Sequence, residues 1–218
     1  YCPMPRTARI VIPGIAHHIT QRGNAGQPVF FDDEDRATYL ELLYTHCKKF
    51  HLRVIGYCLM TNHIHVVAVP RLVSSLADAI GRTDQLYTGY LHGKLQKSGH
   101  LWQNRFYSCP MDEEHTVNAL AYVETNPVRA GMITHARDYP WSSAIAHVTG
   151  KPDQLLDLRR WFTRFDNKEW EQTLDDYHGR RTMSDTIRRH TRKGAPLGRD
   201  RAFLNIVKAW TLGTRPRD

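Results

Sequence analysis

The chain has 218 residues, 41% hydrophobic and 24% charged, an ordinary globular composition with no apolar run near the ~20 residues that span a bilayer. No export signal is evident either, so no membrane partner and a cytoplasmic setting are expected. The formal net charge is +8 and the pI about 9.5, which favours a polyanionic partner.

That charge is uneven. Residues 1–150 carry 14 Lys/Arg against 12 Asp/Glu, net +2, and residues 151–218 carry 16 against 10, net +6. Two regions are therefore expected, a domain over 1–150 and a basic extension over 151–218.

In chain order, Ala16–Arg22 reads as a strand closed by the Gly23-Asn24 turn signal. Acidic residues 32–35 open a helix with the stripe Tyr39, Leu40, Leu43, Cys47 and Phe50. Two strands follow, Leu52–Met60 and His63–Val69, the second apolar on both faces and so expected to be central. Apolar residues recur at helical spacing from Leu72 to Leu95, where Gly81 and Gly89 predict a kink or a split. A β-like run over 101–109 precedes a helix that starts at Asp112 and ends at Asn126-Pro127, since proline disfavours helical geometry in the residue before it. This order predicts an α+β fold with a ferredoxin-like antiparallel sheet. Beyond 150 the pattern gives short helices around 155–165, 168–177, 184–192 and 199–211.

The four cysteines are scattered and form no CxxC pair, which predicts reduced, mostly buried thiols and neither a disulfide nor a zinc framework. The sharper signal is His63-Ile64-His65. On a strand the two imidazoles share a face and make half of a divalent-metal site, although 13 histidines make one such pair unremarkable. On the 112–126 helix, Val117, Leu120, Ala121 and Val123 mark a buried side. The same projection puts Tyr122 on the opposite, polar side between Asn118 and Asn126. Asn126 could complete a metal site with the two histidines.

Met60-Thr61-Asn62-His63-Ile64-His65 resembles the His-hydrophobic-His (HUH) motif of single-tyrosine transposases. Tyr122–Gly131 resembles the tyrosine helix of the REP-associated tyrosine transposases. Pro13-Gly14, His18–Asn24, Gly99–Gln103 and Tyr139–Ser143 follow in that family's order. Thr61 replaces a common proline and Asn104 a common glycine, neither at a ligand position. The resemblance implies that Tyr122 is the nucleophile and that His63, His65 and Asn126 hold Mg²⁺ or Mn²⁺. It further implies cleavage and rejoining of single-stranded DNA beside hairpin-forming, REP-like palindromes through a 5′-phosphotyrosine link. It implies a bacterial, nucleoid-associated protein acting as monomer or homodimer. A catalytically silent hairpin-binding regulator and a replication- or relaxase-type nickase are the alternatives.

The remaining candidates would contact DNA. Arg22, Trp102, Gln103 and Arg105 mix aromatic and polar side chains suited to unpaired bases, with a core role for Trp102 as the rival reading. Arg129 could reach a phosphate. Arg180, Arg181, Arg188, Arg189, Arg192 and Lys193 form the densest basic run.

Overall fold

The computed structural model describes residues 9–177 and 181–212. A four-stranded antiparallel sheet is built from β1 (Ala16–Arg22), β2 (Leu52–Met60), β3 (His63–Pro70) and β4 (Tyr107–Met111). Its order is β2-β3-β1-β4. With α1 (Asp33–Lys49) and α2 (Ser75–Leu95) as crossovers, this is the ferredoxin-like arrangement that the element order predicted. No helix among the described residues is long and apolar enough to cross a membrane.

Strand alternation divides the core in two. Ile19, Tyr57, Leu59, Ile64, Val66 and Ala68 face α1 and α2, where Tyr39, Leu43, Leu76, Ile80 and Tyr87 are buried. The opposite parity, including Cys58, Met60, Val67, Cys109 and Met111, faces a second helical layer. That layer is led by α3 (Glu113–Glu124), which begins on the cap Asp112, whose side chain accepts from the His115 amide. Gly56 sits beneath it. A Cβ there would lie 2.4 Å from Leu120 Cδ2, so glycine makes room for the Leu120 side chain where α3 rests on β2. Pro127 stands in the first turn of the next short helix, α4 (Asn126–Arg129). Then come α5 (Ala144–Thr149), α6 (Leu158–Phe162), α7 (Asn167–Tyr177), α8 (Arg181–Lys193) and α9 (Arg201–Thr211).

Two expectations need correction. Helix α2 runs unbroken through Gly81 and Gly89. Both face open space, and the buried stripe along α1 outweighs a propensity cost of about 1 kcal/mol each. The run over 101–109 is continuous strand only from Tyr107: Trp102 makes an isolated antiparallel bridge to Gly23 just past β1, and the chain leaves the sheet between Gln103 and Phe106 while Leu101, Trp102 and Phe106 pack on the α1/α2 core.

The basic extension is not a separate core. Trp161, Trp170, Leu174, Tyr177 and Ile187 join the layer around α3. Cys47, Cys58 and Cys109 are buried free thiols.

Candidate active site

His63 and His65 lie on the α3 face of β3, opposite Arg22 and Thr20 of β1. The His63 ring shares a 2.7 Å hydrogen bond between Nδ1 and Asn62 Oδ1, and His65 Nδ1 one of 2.9 Å with His18 Nε2. Their ring centroids are 4.9 Å apart. Burial lowers both pKa values, that of His63 to about 4 and that of His65 well below the usual range. Arg129 and Arg188 push both in the same direction, and Arg22 adds to this at His63. Neutral imidazoles at pH 7 are what a metal requires.

Tyr122 is not on a solvent-facing surface; it is only 2% exposed. Its ring lies edge-on to His65 at 5.3 Å and to His18 at 5.7 Å. The helical projection assumed one buried side, whereas residues 119–124 are enclosed by the sheet on one flank and α5, α7 and α8 around it. Arg188 of α8 donates from Nε to Tyr122 Oη at 3.2 Å, and the Arg129 guanidinium lies 4.2 Å from the ring centroid. Asn118 turns away, donating to the Glu114 carbonyl.

Asn126, one turn beyond Tyr122, is buried; its Oδ1 accepts from Arg129 and its Nδ2 has no hydrogen-bond partner. An unsatisfied buried donor costs about 1–3 kcal/mol, so this amide is not explained by stability. Among the described residues no three His, Cys, Asp or Glu side chains form a metal-binding group. Any ion held here therefore depends on the two imidazoles and a third ligand of another kind. The residues fit that role. Asn62 oxygen can only accept, so His63 donates from Nδ1 and keeps the Nε2 lone pair free. A carbonyl oxygen has two lone pairs, so Asn126 Oδ1 can accept from Arg129 and still ligate.

The predicted DNA contacts divide. Arg22, Gln103 and Arg105 are exposed, as are Arg181, Arg189, Arg192 and Lys193 on α8. Arg180 lies outside the described residues. Trp102 is a half-buried packing residue: its indole donates to the Asp84 carbonyl at 3.2 Å, and its ring meets Tyr39 edge-on and Tyr87 at a tilt. Arg129 is half-buried and engaged by Asn126, whereas Arg188 is exposed like its α8 neighbours but reaches in to Tyr122.

Sequence reading passed over several members of this assembly. His18 and Thr191 stand behind His65, with Thr191 Oγ1 2.7 Å from His18 Nδ1. Glu124, fully buried, receives hydrogen bonds from Ser143, His147 and Trp170, tying the tyrosine helix to α5 and α7. The even spacing of His18, Thr20 and Arg22 was a usable signal for one face. Their placement beside His65 is a non-local fact of strand order.

Among curated proteins the chain is similar to a Haemophilus influenzae protein provisionally named a REP-associated tyrosine transposase. The two are 27% identical over 109 residues, covering 44% of this chain and 61% of that one. The chain thus spans less than two thirds of that relative's length. Among solved structures it shares its fold with a REP-associated tyrosine transposase bound to a REP hairpin. The TM-score is 0.54 at 15% identity, over 70% of this chain and 90% of the other. The family described as "Transposase IS200 like" matches residues 12–126, more than half of the chain and a span that holds His63, His65, Tyr122 and Asn126. The chain belongs to the IS200-like transposase family.

Proposed function

We propose that this chain is a REP-associated tyrosine transposase that cleaves and rejoins single-stranded DNA beside hairpin-forming, REP-like palindromes. The observation that carries this reading is the convergence of the Tyr122 ring on His65 at 5.3 Å, with Asn126 one turn further along. The REP-associated relative and the hairpin-bound fold neighbour support the substrate class.

In the cleavage step Tyr122 Oη attacks the scissile phosphorus. The Oη–P bond forms, the P–O3′ bond breaks, and the phenolic proton passes to water. The products are a 5′-phosphotyrosine link and a strand ending in a 3′-hydroxyl. Attack by another 3′-hydroxyl on the same phosphorus releases Tyr122 and joins the strands, so no nucleotide cofactor is consumed. Arg188 and Arg129, beside the Tyr122 ring, offset the charge that grows on the phosphate oxygens. His63, His65 and Asn126 would hold a Mg²⁺ or Mn²⁺ ion, which supplies Lewis-acid polarisation of the phosphate.

Tyr122, His63, His65 and Asn126 all belong to one chain, so this reading needs no second subunit to complete a site. The exposed basic residues of α8, with Arg22, Gln103 and Arg105, would grip the DNA backbone and its unpaired bases. A hairpin oligonucleotide with a 3′-labelled single-stranded flank tests the reading. With Mn²⁺ a labelled protein–DNA adduct forms, and with chelator it does not. Binding without any adduct would instead make the protein a silent hairpin-binding regulator.

A further inference from the structure

His65 is held from behind by a chain of buried side chains that begins in α8. Thr191 Oγ1 lies 2.8 Å from the Ile187 carbonyl, 2.7 Å from His18 Nδ1 and 3.3 Å from Cys109 Sγ. His18 Nε2 lies 2.9 Å from His65 Nδ1, with the two ring planes only 14° apart, so the hydrogen bond runs nearly within both planes. Thr191 and His18 are each 1% exposed.

Two proton arrangements satisfy these distances. In the first, Thr191 donates to Ile187 and accepts from Cys109 and from His18 Nδ1. His18 Nε2 then accepts from His65 Nδ1, and His65 Nε2 carries a lone pair. In the second, Thr191 donates to His18 Nδ1, His18 Nε2 donates to His65 Nδ1, and His65 Nε2 carries a proton. The Thr191 end decides between them. In the second arrangement Thr191, whose hydroxyl has a single proton, would hold Oγ1 2.8 Å from the Ile187 carbonyl oxygen with no proton between them. That is an uncompensated contact of two acceptors, so Thr191 donates to Ile187 and the first arrangement holds.

We propose that Thr191 and His18 form a tautomer lock, a pair of positioning residues that hold the Nε2 lone pair of His65 toward the metal position. The consequence concerns the basic extension. Thr191 belongs to α8, so the C-terminal helices complete the ligand set from behind, in addition to any contact with DNA. The inference rests on the reading of His65 as a metal ligand. Partners behind a ligating histidine tune metal affinity by 10–100-fold in general.

The test has two arms. In metal-free protein, ¹⁵N NMR of the imidazoles should show His18 and His65 both protonated at Nδ1. A proton on Nε2 of either ring overturns the lock. In the second arm, Mn²⁺ affinity is measured calorimetrically for wild type, Thr191→Val and Thr191→Ser. Valine keeps the shape but removes the acceptor for His18, and should weaken binding by roughly 10–100-fold with loss of the fixed tautomer. Serine should retain both. Unchanged tautomers and affinity in a folded Thr191→Val protein overturn the proposal. If valine prevents folding, the wild-type tautomers and the serine variant still decide. Correct tautomers in a wild type that binds no Mn²⁺ would support the lock while refuting the metal reading above.

Discussion

Arg188 Nε donates to Tyr122 Oη across 3.2 Å, joining the basic extension to the tyrosine helix at the atom proposed to attack DNA. The contact raises the pKa of Arg188, mainly through its hydrogen bond to the phenol. A cation in this position is suited to a phosphoryl-transfer transition state, because negative charge accumulates on the phosphate oxygens. Arg188→Ala is therefore expected to slow adduct formation at saturating DNA by about 10²-fold, the scale of removing one preorganised donor. Single-turnover kinetics with a labelled oligonucleotide measure it. Faster adduct formation would mean that Arg188 only covers the hydroxyl.

Glu124 holds the tyrosine helix from the other side. Its carboxylate receives Trp170 Nε1 at 2.8 Å, His147 Nδ1 at 2.6 Å and the Ser143 hydroxyl, all buried. Replacing it by alanine strands three donors at once. The expected loss is about 3 kcal/mol of unfolding free energy, read by urea denaturation. A loss below about 1 kcal/mol would show that the cluster does not anchor α3.

Trp102 separates two readings of one aromatic residue. As a base-stacking platform its loss would weaken DNA binding and leave stability unchanged. As the packed residue seen here, with its indole on the Asp84 carbonyl, Trp102→Ala should cost about 3 kcal/mol in stability. Affinity for single-stranded oligonucleotides, measured on the folded fraction by fluorescence anisotropy, should change less than about threefold.

How much could be read in advance follows from the range of each signal. The strand carrying His63 and His65 is a local pattern and appears as expected; the tyrosine helix also appears, but it ends at Glu124, and Asn126 and Pro127 open α4 instead of breaking the helix. The sheet order followed from the sequence of elements. Tyr122 was misplaced because its enclosure comes from α8, some 60 residues later, which no periodicity in α3 announces. His18 and Thr191 are distant in sequence from His65 and meet it only through the pairing of β1 with β3 and the seat of α8. Trp102 presented an aromatic-polar mixture whose burial was settled by the α1/α2 crossover layer.

Asp84 gives the protein a pH-dependent stability term away from the active site. It is buried in α2, facing the Tyr39 hydroxyl of α1 at 3.0 Å, the Gln21 amide of β1 at 3.4 Å and the charge of Arg9. Burial raises its pKa to about 7, against 3.8 when unfolded. The folded state thus binds the extra proton between these values, so its contribution to stability falls as pH rises from about 4 to about 7. The full difference corresponds to at most roughly 4 kcal/mol. Asp84→Asn removes this dependence. Its stability relative to wild type should grow by about 2–3 kcal/mol between pH 5 and pH 8, measured by denaturant titration at each pH. A constant difference would place the ionisation elsewhere.

The central claim is that Tyr122 forms the covalent bond to DNA. The direct measurement is adduct formation by wild type and Tyr122→Phe on a hairpin oligonucleotide with a labelled single-stranded flank, in Mn²⁺, resolved under denaturing conditions. Phenylalanine keeps the ring against His18 and His65 and removes only the hydroxyl and its bond to Arg188. The predicted result is complete loss of the adduct with hairpin affinity within about threefold of wild type. An adduct persisting in Tyr122→Phe would contradict the account.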